Sequence, residues 1–382
     1  MTEPVEAPNL TLSIVSDSEE FAAMADEWRA LSAQASTCFF MSWEWHYTWW
    51  QIYATRVDRL YLVRLTHEGK LVGLLPMYTN RCGYTFRRTL LFLGTGEARD
   101  DEVATEYLDV IAHPDYEVAV ADRAIDWLAG CDDWSNVELR FLLDDALLRQ
   151  AYWRRDDVFM VERHVGFRYR VDLSQDESMH MEKKSKSRQK RLERSRRALV
   201  KDGGLEQFSV TSAIELDQAF KQLKELNHER QANKRRKSVF ASEKFRTFHR
   251  QLTQRLFDLN AVDIHQFKLG TKLLAVLYCF YDEKTCYYYQ SGFSKREANR
   301  YMPLTFAHLA EIERNRSKQR DYYDLMRAEP PSYKEDFGCE TTPMVTVFIF
   351  CTHWRLIRFN FRTAIRRKMV TLAARLGVKR SL

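Results

Sequence analysis

The stretch from residue 263 to residue 334 limits the fold more than any other part of the chain. Three runs rich in β-branched and aromatic residues, 263–269, 273–282 and 285–293, are separated by turn residues at Gly270 and at Asp282-Glu283-Lys284. They read as three consecutive strands. A polar loop, 294–300, follows, and Pro303 then opens an amphipathic run over 304–312. Proline suits a first helical turn, because the N–H it lacks would have had no partner there. A short strand over 321–326 leads into Arg327-Ala328-Glu329-Pro330-Pro331-Ser332-Tyr333-Lys334. Strands, then a helix, then another strand point to a mixed α/β sheet.

A basic loop that ends at a helix N-terminus can hold an anion. The first backbone N–H groups are free, the dipole is positive there, and Arg300 adds a donor fork. Met302, Pro303 and Leu304 mark that entry. The same residues also fit an ordinary β–α connection with solvated charges, since the loop has no glycine nest.

The first half carries a strand over 11–15 and a helix over 20–32, capped by Ser18, with Phe21, Met24, Trp28 and Leu31 on one face. The aromatic run 39–50 reads as a buried helix capped by Ser42, the other use of such a stripe being a stacking platform for a sugar or base. Runs 60–67 and 70–79 flank Glu68-Gly69, a two-residue hairpin turn. Further strands are expected over 89–93, 106–111, 136–142 and 166–173, with helices over 117–128 and 144–152. Asp100, Asp101 and Glu102 read as a surface loop, because three adjacent acids seldom face one point.

The second half runs through a strand over 205–211, helices over 213–230 and 243–259, the central strands, and a last strand over 344–351. That last run is apolar almost throughout, as in a strand buried on both faces. The second half's order, strand, helices, three strands, helix, strand, repeats the first half's in outline, which suggests a tandem duplicate over 10–171 and 172–352. Between the halves lies a helix pattern over 183–201, almost half Lys or Arg, closed by Asp202-Gly203-Gly204. It is a solvated face or a surface for tRNA, an anionic membrane or a nucleotide-sugar diphosphate. The tail, 353–382, sets Trp354, Ile357, Phe361, Ile365, Met369, Leu372 and Leu376 opposite a row of arginines. Such a helix either docks its stripe on the protein or lies in a membrane interface.

The seven cysteines show no CxxC and are odd in number, so they read as reduced core residues with no metal site. The ten histidines include no HExxH pair. No apolar run reaches the ~20 residues that span a bilayer, and the N-terminus has no signal-peptide pattern. A cytoplasmic protein is the expectation.

Gly292-Phe293, Pro303, Tyr323-Asp324-Leu325-Met326 and Tyr333-Lys334 resemble the C-terminal signature of GNAT-fold acyltransferases of the CelD/BcsL type. That group is related to the Fem peptidoglycan aminoacyltransferases and is linked to exopolysaccharide production. Its usual ending is similar to Tyr-Asp-Phe-x-x-Gly-x-x-x-Tyr-Lys; here Ala328 stands where glycine is usual, and one extra residue precedes Tyr333. The aromatic run 39–50, Tyr107-x-Asp109, the basic helix and Asn227-His228-Glu229-Arg230 are also similar to features of that family. The resemblance implies tandem GNAT-like domains of mixed α/β (α+β) class with a C-terminal amphipathic helix. It implies an acyltransferase that uses acetyl-CoA or another acyl-CoA and no metal, with an amine or hydroxyl of a small molecule or envelope glycan as acceptor.

In such a site the donor lies between two parted strands. The resemblance places Asp324, as base or orienter, and Tyr289 near the acyl centre, with Tyr333 and Lys334 stabilising charge or holding the acceptor. Arg300, Met302, Pro303, Leu304, Gly292 and Phe293 would hold the donor, and Tyr323, Arg327 and His228 would line the substrate side. Two other classes stay open: a Fem-like ligase fed by aminoacyl-tRNA along 183–201, and a non-catalytic scaffold of a polysaccharide pathway. The tail would give contact with the inner leaflet.

Overall fold

The computed structural model describes residues 8–81, 88–130, 133–175, 186–231, 238–350, 352, 354–357 and 359–361. Cys82, Cys131, Cys351, the start of the basic run, the cations of 234–237 and the tail beyond 361 lie outside the described residues.

The first half runs β1 (Thr11–Val15), α1 (Ser18–Ala23), α2 (Ala25–Gln34), α3 (Trp43–Tyr53), β2 (Arg59–His67), β3 (Lys70–Arg81), β4 (Arg88–Phe92), β5 (Ile111–Ala112), α4 (Glu117–Gly130), β6 (Asn136–Leu143), α5 (Leu147–Trp153) and β7 (Phe159–Asp172). The second runs α6 (Lys186–Lys201), β8 (Glu206–Phe208), α7 (Ala213–Gln231), α8 (Glu243–Phe257), β9 (Val262–Leu269), β10 (Lys272–Tyr281), β11 (Thr285–Phe293), α9 (Ala298–Tyr301), α10 (Pro303–Ser317), β12 (Tyr322–Ala328) and β13 (Glu340–Phe350). In each half a meander of strands is followed by a crossover helix and a strand parallel to the last of the meander: β4 with β6, and β11 with β12. The molecule is thus a tandem GNAT-like α/β fold.

The halves share one sheet of 13 strands, in the order β1-β2-β3-β4-β6-β13-β7-β12-β11-β10-β9-β8, with β5 on β3. The chain's last strand, β13, lies between β6 and β7 of the first half. β7 reaches the other way: its end, Phe167 to Asp172, pairs with β12. β13 is buried over most of its second half, Met344 to Val347 and Ile349 to Phe350.

Several local expectations are corrected. Asp17, not Ser18, caps the first helix, its Oδ1 accepting from Glu19 N–H (2.7 Å) and Glu20 N–H (3.1 Å). Ser18 instead accepts from Trp50 Nε1 (3.0 Å), and the helix breaks at Met24 into α1 and α2. The strand expected over 106–111 shrinks to β5, because Tyr107 is left-handed (φ 62°) and its side chain turns to the second half. β7 begins at Phe159, seven residues before the expected 166, since its first part pairs with β13. The strand expected over 205–211 is β8 alone, and the loop 294–300 contains the start of α9.

The aromatic run is core. Trp45 and Trp49 are buried, and Phe39 stacks on Phe280 of β10 with ring centres 4.5 Å apart. Trp45 meets Phe248 of α8 edge-on at 5.0 Å. The first half's aromatics therefore fill the junction with the second half, which leaves no open platform for a ring ligand there.

Candidate functional site

β11 and β12 pair at only three positions: Thr285 with Tyr322, Cys286 with Tyr323, and Tyr287 with Asp324. Beyond them β12 bulges between Asp324 and Met326 and follows β7, while β11 runs on with β10 to Phe293. The bulge has a local cause. Met326 is left-handed (φ 65°), and its N–H donates to Asp324 Oδ1 (2.6 Å). The strands part, and the gap holds a cavity of about 220 Å³. β11 contributes Tyr288 and Tyr289, β12 contributes Leu325, Met326 and Arg327, and the turn after β12 contributes Tyr333 and Lys334. Ala104 and Glu106 close it from the first half.

That first-half wall is tied down residue by residue. Ser242 Oγ donates to Asp101 Oδ1 (2.6 Å), and Tyr289 OH donates to Val103 O (2.5 Å). Arg327 N–H and Nε donate to Glu106 Oε2 (2.9 Å) and Oε1 (3.2 Å). Tyr107 OH donates to Asp324 Oδ1 (3.0 Å). Residues 101–107 are thus a fixed panel of the second half's cavity.

Lys334 and Glu106 give the cavity its charge. The capping box of Ser332 and Glu335 starts the turn that carries Lys334. Its ammonium donates to Met326 O (3.0 Å) and Arg327 O (2.8 Å), which leaves one donor direction. Burial lowers its pKa to about 8, against the pull of Glu106 and Asp324. Burial raises the Glu106 carboxyl, against the pull of Arg327 and Lys334. Carboxylate and ammonium are thus both driven toward neutrality in one small space, an arrangement suited to proton transfer.

Tyr289 is held from behind. Its OH donates to Val103 O, so its oxygen accepts from His249 Nε2 (3.0 Å), while His249 Nδ1 accepts from Tyr278 OH (3.2 Å). His249 is buried, and burial keeps it neutral.

The other expected residues fall outside the cavity wall. Asp324 is fully buried behind it, and its Oδ2 accepts from Arg168 Nε (2.5 Å). With Tyr107 and Met326 on its Oδ1, the carboxylate has three donors. Tyr323 is fully buried, its hydroxyl on His308 Nδ1 (2.8 Å). His228 is exposed on α7; its neighbour Asn227 is the buried one, donating to Ser291 O (3.0 Å). Gly292 has a packing reason: a Cβ there would meet Leu226 Cβ at 2.6 Å and Asn227 N at 2.9 Å, so α7 can lie on β11 only over glycine. Phe293 is half-buried against the core beneath α10.

Arg300 is committed. It pairs with Asp202 at the end of α6 (2.5 Å), where Tyr301 OH also donates (2.7 Å). Met302 is left-handed (φ 47°) and precedes Pro303 at the first position of α10. α10 begins without a side-chain cap, so the first N–H groups of its first turn, at Leu304 and Thr305, have no side-chain acceptor from the cap position.

Glu106 lines the cavity and, like Tyr288 and Ala104, was not among the expected site residues. Its stretch looked like a strand, and only the fold carries it to a cavity more than 200 residues downstream, at Arg327.

Residues 186–335 match the acetyltransferase (GNAT) domain family. This is the domain of an acyltransferase, and the chain carries it. Three solved structures are similar in fold. FemX is 8% identical with a TM-score of 0.59, covering 91% of this chain and 99% of its own. L-PGS from Bacillus licheniformis is 11% identical with a TM-score of 0.53, covering 87% and 94%. The C-terminal domain of a putative lysylphosphatidylglycerol synthetase from Agrobacterium fabrum is 10% identical with a TM-score of 0.52, covering 90% and 97%. No curated protein sequence matches the chain. Among the described residues no helix is long and apolar enough to cross a membrane.

Proposed function

We propose that the chain transfers an acyl group from acyl-CoA to an amine or hydroxyl of an envelope or exopolysaccharide-related acceptor, in the gap between β11 and β12. The observation that carries this reading is the cavity at the parting of the strands, lined by both Lys334 and Glu106. The donor's acyl carbon sits beside Tyr288 and Tyr289, and its phosphates lie at the first turn of α10. The nucleophile attacks the thioester carbon directly. The C–S bond breaks, the thiol leaves, and the acyl group passes to nitrogen or oxygen. Glu106 takes the proton of the attacking group, and the remaining N–H of Lys334 stabilises the developing oxyanion. Tyr333, half-exposed at the mouth, orients the acceptor. Asp324 and Arg168 hold the bulge that opens the gap.

A second reading has its own support. Arg300 is spent on Asp202, while α6 turns Lys186, Lys190, Arg191, Arg194, Arg196, Arg197 and Lys201 to solvent. An aminoacyl-tRNA donor would use that face, as in a Fem-like transferase. CoA release from acetyl-CoA with amine- or hydroxyl-bearing glycans, set against transfer from charged tRNA, separates the two. Loss of transfer in Glu106→Gln and Lys334→Ala supports the site; wild-type turnover in both removes it.

We also place the protein in the cytoplasm at the inner leaflet. Trp354, Ile357 and Phe361 are exposed at the start of the tail, which supports this. Equal sedimentation with anionic liposomes by the full chain and a chain ending at residue 352 would refute it.

A further inference from the structure

The face of the β10–β11 hairpin under α10 carries a cluster that acyl transfer does not use. Cys279 on β10 and Cys286 on β11 flank the turn at Asp282 to Lys284. Their register partners are Tyr288 and Tyr281, so the two cysteines are diagonal neighbours on one face. Glu311 of α10 comes down onto them. The two Sγ atoms and a Glu311 carboxylate oxygen all lie within 4.8 Å of one another, and all three residues are fully buried.

Two thiols in a plain core would sit among apolar atoms. These face a charged group instead. Glu311 sits among donors, with Tyr281 OH donating to its Oε1 (3.2 Å). Its orientation is fixed: Gln207 Nε2 donates to Oε2 (2.6 Å), and Asn315 Nδ2 donates to Oε1 (2.9 Å). Metal-binding carboxylates are held in this way by a surrounding set of donors. His265 Nε2 lies 3.2 Å from the same Oε1 and is itself engaged with Tyr281 OH (2.6 Å).

We propose that Cys279, Cys286 and Glu311 bind one zinc-class divalent cation that staples the hairpin to α10. Two thiolates and a carboxylate are ligands that zinc takes, and they fill three corners of its tetrahedron. In such a site, with Zn–S bonds of about 2.3 Å, ligand atoms stand about 3.5–3.8 Å apart, so the cluster closes on the ion by shifts of at most about 1 Å. Binding forms two metal–sulfur bonds and one metal–oxygen bond and releases the two thiol protons. Three anionic ligands around a dication leave one negative charge, which Arg314, 3.8 Å from Glu311, offsets. The spacing hid the pair: six residues separate the cysteines, and only the hairpin turn brings them together. The proposal is independent of the acyl donor.

The test needs no substrate. The full chain is expressed in zinc-supplemented medium, purified without chelators and analysed for metal; a second portion is refolded with Co2+ and its absorption recorded. The expected result is about one zinc per chain and a thiolate-to-cobalt charge-transfer band with tetrahedral d–d bands. Both persist in Cys38→Ser and vanish in the folded Cys279→Ser/Cys286→Ser double variant. A wild-type chain without zinc and without the cobalt–thiolate band overturns the proposal, and so does a folded double variant that keeps them. Should the double variant not fold, the wild-type cobalt spectrum decides alone, since its intensity counts the thiolates bound.

Discussion

Replacing Asp324 by alanine separates a carboxylate that does chemistry from one that builds the site. Asp324 is fully buried, and its partner Arg168 is only 12% exposed in its side chain. The substitution leaves the Arg168 guanidinium over the Tyr107 ring with no counter-charge, and deprives Tyr107 OH and the Met326 N–H of their acceptor. Removing one partner of a buried ion pair costs about 3–5 kcal/mol, because the remaining charge is stranded in low dielectric. The two orphaned donors share in that sum rather than add to it. Asp324→Ala should therefore lower the unfolding free energy measured in urea by that amount. Adding Arg168→Met should restore most of the loss, since the double variant buries no lone charge. Lys334→Ala should behave in the opposite way, abolishing transfer with little loss of stability. The reasoning is refuted if Asp324→Ala stays within about 1 kcal/mol of wild type in stability while transfer collapses, since the carboxylate would then act on the reaction itself.

Three further expectations follow from the same contacts. Gly292→Ala should destabilise the protein by about 1–3 kcal/mol or more, because its Cβ would meet the α7 backbone at 2.9 Å, while the folded fraction keeps its CoA affinity; unchanged thermal stability refutes this. The pH profile of kcat/KM should be bell-shaped: it rises as Glu106 ionises, above the usual carboxylate range, and falls through about 8 as Lys334 loses its proton. Lys334→Met should remove the alkaline limb, and an unchanged limb would exclude Lys334 as its source. Burial brings His46 and His308 down to about 3 and His249 well below its usual value. The unfolded chain then binds more protons, so stability is lost as pH falls below 6.5, by about 1.4 kcal/mol per pH unit for each histidine. A denaturation midpoint that stays flat from pH 7 to pH 5 would contradict that.

The second half was legible because its signals are local. β11 spans the expected residues, and Pro303 opens α10, since β-branched alternation and a first-turn proline act within a few residues. The shared sheet was not legible: that β13 lies between β6 and β7 is a pairing across 170 to 214 residues, and no short-range pattern encodes it. The site divides in the same way. Lys334 and Tyr289 sit in the cavity because strand alternation and the turn after β12 put them there. Arg300 looked like an anion clamp until the fold brought Asp202 to it, and Glu106 enters only through the fold. His228 missed by one residue, which on a helix is a rotation of about 100° from the face that Asn227 buries.

The central claim is that the parting of β11 and β12 receives the acyl donor. Amide hydrogen exchange with and without acetyl-CoA tests it most directly. The account predicts slowed exchange at 288–293, at the first turn of α10 and at 325–328, with the 101–107 panel following. Protection confined to the first half's sheet, or none at any of these segments with either acetyl-CoA or aminoacyl-tRNA, would contradict it.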